Sequence, residues 1–317
     1  MILCVNANAA IDKTVVVRGF RLNAIQRPEW VRSSPGGKGC NVARALKRLG
    51  GEPVVTGWIG GHAGDFIAEG LRDEGIGTAF VRVPFESRTC LSIVDPDGPT
   101  LTELYERGEV IAEDSVAAFE TWFVDHVGDH AAVTLSGSLP PGAPVDLYAR
   151  LITAARARGV LTVLDSSGAA LTEGLKAGPD VIKPNAHEFE ELTGATLTTP
   201  AQVAAAAIPY AARTRGSVVV SLGATGAVAA QNGLAWLITP PPIEPVSAVG
   251  SGDSLVAGIT LGLTSGDTLP DAVARGVAAG AANALSLGAA RFTLEEYATV
   301  RAGVTIQVLD GASVAST

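Results

Sequence analysis

The chain has 317 residues, 47% hydrophobic and 17% charged, with a formal net charge of −9. That balance describes a globular chain able to bury a core and excludes extended disorder. The acidic excess argues against a nucleic-acid partner, and three scattered cysteines, Cys4, Cys40 and Cys90, form no C-x-x-C pair and suit a reducing, cytoplasmic setting. The opening stretch MILCVNANAAIDKTVVV lacks the basic start of a signal peptide and reads as a first strand. No stretch approaches the ~18 uninterrupted apolar residues of a membrane span, so no membrane partner is expected. Residues 14–33 and 87–104 lack helical periodicity. Within the second, Thr89, Leu91 and Ile93 alternate with Cys90, Ser92 and Val94, and Asp97-Gly98 signals a hairpin. Between them, Val42, Ala45, Leu46 and Leu49 predict a helix with Arg44, Lys47 and Arg48 off its apolar face, stopped by Gly50-Gly51. Further buried-type strands are predicted at 52–60, 130–137, 159–165, 179–185 and 216–223, with helical stretches between them. Asn232-Gly233 marks a second hairpin. From about 252 the chain reads as mostly helical, and the tail at 310–317 as loose. The expectation is one α/β domain over 1–317, with a central, mostly parallel sheet flanked by helices. A small β-sheet lid is drawn from about 11–33 and 86–107.

Two familiar nucleotide signatures are missing. There is no G-x-x-x-x-G-K-[ST], and no G-x-G-x-x-G follows the first strand, which disfavours a dehydrogenase. His126 and His130 lack an acidic companion and read as surface residues. Four glycine-bearing stretches remain. In SPGGKGCNVARALKRLG (34–50), glycines let the backbone approach a ligand, and Lys38 adds charge at a helix start that already favours anions. In SGSLPPG (136–142), a strand-end loop offers the Ser136 and Ser138 hydroxyls to a polar ligand. In KPNAHEFEELTG (183–194), Asn185 and Glu188 share a helix face. They suit either a helix cap or a hydrated magnesium ion held through water. In SAVGSGDSLVAG (247–258), the amides of Gly250, Ser251 and Gly252 form an anion nest at a helix start. Asp253 there is expected to be ionised, as a base beside a phosphoryl group or simply as a cap.

The order of these stretches resembles the PfkB (ribokinase-like) carbohydrate kinases over nearly the full length. Within them it is most similar to the branch of 1-phosphofructokinase, tagatose-6-phosphate kinase and the minor 6-phosphofructokinase. The match runs through NAAID (8–12), GGKGCNVARAL (36–46), SGSLPPG (136–142), KPNAHE (183–188), SLGATGA (221–227) and VGSGDSLVAG (249–258). The resemblance implies an ATP- and Mg2+-dependent kinase acting on a ketohexose phosphate. It implies Asp253 as base with Gly250, Ser251 and Gly252 as anion hole. Asp12, Gly37, Lys38, Asn41, Arg88 and Ser138 fall on the sugar side, with Arg88 on the acceptor's own phosphate. Lys183, Asn185, Glu188, Ser221, Gly223 and Gly226 fall on the nucleotide side, with Asn283 near the adenine. A homodimer through the lid is also implied. Two departures stand out: Ala9 replaces the branch's usual proline, and Leu104-Tyr105-Glu106-Arg107-Gly108 replaces Asn-Glu-Pro-Gly-Pro. A kinase of an unphosphorylated sugar or nucleoside, or a non-catalytic sugar-phosphate sensor, are the alternatives left open.

Overall fold

Short apolar runs bounded by glycine or proline become buried strands here, and the longer amphipathic stretches between them become helices. The computed structural model describes residues 1–98, 100–214 and 216–309, so the expectation for the 310–317 tail lies outside the described residues. In chain order they form β1 (Ile2–Val5), β2 (Ala10–Val16), β3 (Trp30–Gly36), α1 (Lys38–Arg48), β4 (Pro53–Gly60), α2 (Gly61–Asp73), β5 (Gly77–Val83), β6 (Arg88–Asp95), β7 (Thr100–Tyr105), α3 (Glu113–His126), β8 (Ala132–Ser136), α4 (Leu147–Ala157), β9 (Leu161–Asp165), α5 (Gly168–Lys176), β10 (Val181–Ile182), α6 (Ala186–Thr193), α7 (Pro200–Thr214), β11 (Ser217–Ser221), β12 (Ala227–Gln231), β13 (Leu234–Thr239), α8 (Ser251–Thr264), α9 (Leu269–Ala284), α10 (Leu294–Ala302) and β14 (Thr305–Leu309).

The described residues build a ten-stranded sheet in the order β14-β13-β12-β11-β10-β9-β8-β1-β4-β5. From β5 to β11 each neighbouring pair is parallel, and β12, β13 and β14 add antiparallel strands at one edge. Alternate residues of β1 serve the two faces. Ile2 and Cys4 pack with α1, α2 and α8–α10, whereas Leu3 and Val5 pack with α3–α7. The β12–β13 hairpin turns at Asn232 (φ 51°) and Gly233 (φ 79°), the left-handed pair that its sequence signals.

A separate four-stranded sheet has the order β3-β2-β6-β7. Its register places Ala10 between Gly36 and Arg88, and Asp12 between Ser34 and Cys90. One end of this sheet therefore gathers Asp12, the glycine loop and Arg88.

Small residues set the seam between α8 and α9. A Cβ on Gly258 would stand 2.5 Å from Gly276 Cα, and one on Gly280 would stand 2.9 Å from the Ser251 carbonyl. The two backbones approach as closely as glycine allows, which fixes the first turn of α8 against its neighbour. Two elements escape the sequence reading. β5 is a half-exposed edge strand, and β14 is an exposed edge strand beyond the helices. The Arg44 side chain, expected off the apolar face of α1, is 3% exposed.

Candidate active site

In open parallel sheets, ligands sit beyond the carboxyl ends of the strands. Here Asn6 follows β1, Ser136 ends β8, Asp165 ends β9, Lys183 follows β10 and Ser221 ends β11. All five line one cleft of about 1220 Å³. Asp12, Arg88, Cys90 and Tyr105 border it from the small sheet, and residues 250–253 from the start of α8.

Two lysines meet one carboxylate in this cleft. Asp165 (1% exposed) lies 3.1 Å from Lys183 Nζ and 3.4 Å from Lys38 Nζ. Lys183 is itself 3% exposed. Asp165, against the effect of burial and with help from Asp253 and Glu188, holds the Lys38 ammonium above its ordinary range. A buried cation, Lys183, and a partly exposed one, Lys38, thus flank one buried carboxylate, which leaves positive charge available to a polyanionic ligand. The Gly37 N-cap of α1 has φ 92°, and a Cβ there would stand 2.5 Å from Asn6 Oδ1, so the loop carrying Lys38 lies directly on the end of β1.

Asp253, 6% exposed, opens α8. Its Oδ2 accepts a 2.9 Å hydrogen bond from Asn41 Nδ2, and among the described residues its Oδ1 has no partner. Burial pushes its carboxyl up to about 6. Lys38 opposes the shift, Asp165 adds to it, and Asn41 and Lys183 oppose it. The ionised state expected from the helix start is therefore only partly favoured, because desolvation outweighs the nearby donors. Asp12 is likewise pushed up to about 6 by burial, against Arg44, the Gly37 N–H and Arg88.

The amide nest differs in one member from the sequence expectation. The Ser251 N–H donates to the Ala248 carbonyl at 3.1 Å within the turn. Among the described residues, the N–H groups of Gly250, Gly252 and Asp253 are the ones without an acceptor at this helix start. Gly250 has φ 82°, and a Cβ there would stand 2.4 Å from Ala289 Cβ. Asn283 departs from its expected place. It is fully buried and does not line the cleft. Its amide donates to the Val249 carbonyl (2.8 Å) and Ser251 Oγ (3.1 Å), and its oxygen accepts from the Ala290 N–H (2.6 Å). Its polar atoms tie the turn before α8 to the loop after α9, so none faces a base.

The other expected residues border the cleft. Arg88 is pinned by backbone carbonyls, Nε and Nη2 on Asn8 (3.3 and 3.2 Å) and Nη1 on Glu106 (2.7 Å). Ser138 shares with Arg88, Tyr105 and Arg107 an adjoining side cavity of about 570 Å³. Ser136 Oγ is buried with no hydrogen-bond partner among the described residues. Asn185 and Glu188 form a reciprocal capping box at the start of α6: Glu188 N–H donates to Asn185 Oδ1, and Asn185 N–H donates to Glu188 Oε2, both at 2.8 Å. The cap uses Glu188 Oε2, and among the described residues its Oε1 has no hydrogen-bond partner, while both residues border the cleft. Among the described residues no cluster of three or more His, Cys, Asp or Glu could cage a metal. The donor set fits a magnesium ion that keeps most of its water and rides on a nucleotide's phosphates. Gly226 has φ 101° and would set a Cβ 2.0 Å from the Ile238 carbonyl, while Gly223 (φ 58°) faces open space.

A model of the pfkB family of carbohydrate kinases matches residues 3–296. The chain belongs to that family. This kinase is similar to solved phosphofructokinase-2 from Escherichia coli in complex with substrates and products, at 30% identity and a TM-score of 0.87, covering 95% of this chain and 98% of that one. A possible 1-phosphofructokinase from Thermotoga maritima matches at 27% identity and a TM-score of 0.87, covering 98% and 100%. The branch expected from the motifs and the α/β architecture with its small separate sheet both hold. The protein is a phosphotransferase with an alcohol group as acceptor, and carbohydrate kinases of this family use ATP. No helix among the described residues is long and apolar enough to cross a membrane.

Sequence reasoning missed three contributors to this kinase's cleft. Asp165 ends VLD with no motif around it. Asn6 reads only as part of a strand. Pro240, Pro241, Pro242 and Pro245, with Val277, Ala281 and Ala284 of α9, give the cleft an apolar wall. The proline run immediately after an apolar strand is the one signal that pointed to that wall.

Proposed function

We propose that the protein transfers the γ-phosphoryl group of ATP to a hydroxyl of a ketohexose phosphate, namely fructose 1-phosphate, fructose 6-phosphate or tagatose 6-phosphate, giving a bisphosphate. The carrying observation is the placement of the Asp253 carboxylate. It is buried in the cleft, held on one oxygen by Asn41 and free on the other, beside unpaired amides and within the field of Lys38 and Lys183. In this reading Oδ1 of Asp253 takes the proton of the acceptor hydroxyl as that oxygen forms its bond to the γ-phosphorus. The bond from phosphorus to the bridging oxygen breaks, and ADP leaves. The amides of Gly250, Gly252 and Asp253 face the charge on the moving group. Asp12, Gly37, Ser138 and Arg88 hold the acceptor, with Arg88 on its resident phosphate. Lys183, Ser221, Gly223 and Gly226 hold the nucleotide phosphates, and the base lies along the proline wall. Magnesium, when bound, spreads the phosphate charge, and Asn185 and Glu188 would hold its water shell.

The phosphofructokinase neighbours and the guanidinium at the acceptor end support a phosphorylated acceptor. An ATP-consumption screen against the three ketohexose phosphates and neutral sugars tests it. Turnover confined to neutral sugars or nucleosides overturns the acceptor class, and absence of turnover with every acceptor leaves the sensor. A homodimer through the small sheet is part of the proposal, supported by exposed Trp30, Val31, Leu101 and Leu104 on its strands. Three buried free cysteines support a reducing, cytoplasmic setting.

A further inference from the structure

Arg44 is nearly buried on α1 and does not itself line the cleft, yet each of its three nitrogens donates a hydrogen bond, and one of these begins a chain that ends at Asp253. Its Nη1 donates to Asn41 Oδ1 (3.1 Å), its Nη2 to the Pro35 carbonyl (2.9 Å) and its Nε to Glu74 Oε2 (2.6 Å). Glu74 is braced in turn by Arg291 at 3.4 Å. A guanidinium has donors only. The carboxamide oxygen of Asn41 must therefore face Arg44, and its NH2 must face Asp253. The opposite orientation would set oxygen against carboxylate on one side and N–H against N–H on the other.

We propose that Arg44 is a positioning residue for the reaction. It fixes which way the Asn41 carboxamide points, so that one oxygen of Asp253 is always occupied by a donor and the other is left for the acceptor hydroxyl. This rests on the proposed role of Asp253 as base. The same guanidinium ties that orientation to the small sheet, because Pro35 lies at the end of β3 in register with Ile11, beside Asp12. Geometry on the sugar side and orientation of the base are thus set by one side chain. Lysine could not replace it fully, since a single ammonium does not span three acceptors in a planar fork.

Asp253 also faces Lys38 from the start of α1, Asp165 from the end of β9 and Lys183 after β10. Those groups are unchanged when residue 44 is replaced, so a shift in Asp253 reports on Asn41. The test follows the Asp253 carboxyl by carbon-13 NMR titration, the signal being assigned by its loss in Asp253→Asn. Kinase activity is not required for this readout. In Arg44→Met the midpoint should rise by about one unit, the scale of one lost hydrogen bond to the ionised form. Asn41→Leu should give a similar rise, and the double variant no more than either single one, because all three remove the same bond. Arg44→Lys should recover part of the shift. If Arg44→Met does not fold, Arg44→Leu, equally free of donors, carries the same expectation. An unmoved midpoint in a folded Arg44 variant, or rises that add in the double variant, would overturn the proposal. Lack of turnover by the unmodified enzyme would instead refute the proposed reaction, with the titration still reporting on the relay.

Discussion

Replacing Asp253 by asparagine should lower turnover and raise stability together. The substitution is isosteric, and the amide oxygen at 253 can still accept from Asn41 Nδ2, which lies 2.9 Å from Oδ2 in the native site. What disappears is the proposed proton acceptor. Loss of a general base typically lowers kcat by roughly 10²–10⁴. The stability effect has the opposite sign. Burial raises the Asp253 carboxyl from 3.8 to about 6 in the folded state. The folded protein therefore binds this proton more tightly than the unfolded chain. The associated stability is present below about pH 4 and is lost as pH rises through about 6. Two units correspond to about 3 kcal/mol at 1.36 kcal/mol per unit. The neutral amide escapes that cost, so at pH 7.5 Asp253→Asn should melt roughly 4 °C higher for a chain of this size. Steady-state ATP turnover and a thermal melt on the same preparations check both halves. Unchanged kcat would remove Asp253 from the chemistry, and a lower Tm would show that its burial is not the source of the raised carboxyl.

kcat/KM should decline as pH falls through about 6, because Asp253 of the free enzyme must be ionised to act as the proposed base; a profile flat down to pH 5 would contradict this. Arg88→Ala should raise KM for a sugar phosphate by roughly 10–100-fold with kcat within a few fold, the scale of charge-assisted bonds to a phosphate. Equal KM values before and after would assign the acceptor to the neutral class. Gly250→Ala must place a side chain at φ 82° and 2.4 Å from Ala289 Cβ. It should lower Tm by several degrees and kcat at least tenfold, measured by melt and turnover, since the amides of the turn lose their alignment.

Much of this molecule was legible as strings of apolar residues. The buried parallel strands at 2–5, 53–60, 132–136, 161–165, 181–182 and 217–221 sit where the runs predict them, since strands covered on both faces cannot alternate in polarity. β5 and β14 were not legible, because edge strands half open to water carry no continuous run. The glycine stretches announced the cleft, since close backbone approach and left-handed angles leave a compositional trace. Asp165 left none: a single acid after a strand acquires meaning only when Lys38 and Lys183 arrive from distant segments. Arg44 and Asn283 failed in the opposite sense. A polar residue on a helix reads as solvated or as ligand-facing, and only tertiary acceptors reveal that each is a buried brace.

The glycine-to-glycine seam between α8 and α9 makes the reaction sensitive to places no reactant visits. A single methyl at 258 or 276 would act as a wedge under a lever whose short arm is the first turn of α8. Small tilts there would swing peptide N–H vectors away from the proposed path of the phosphoryl group. Surveys of variants in this enzyme should thus find losses of turnover in the middle of two helices of small and apolar residues, with nucleotide affinity little altered.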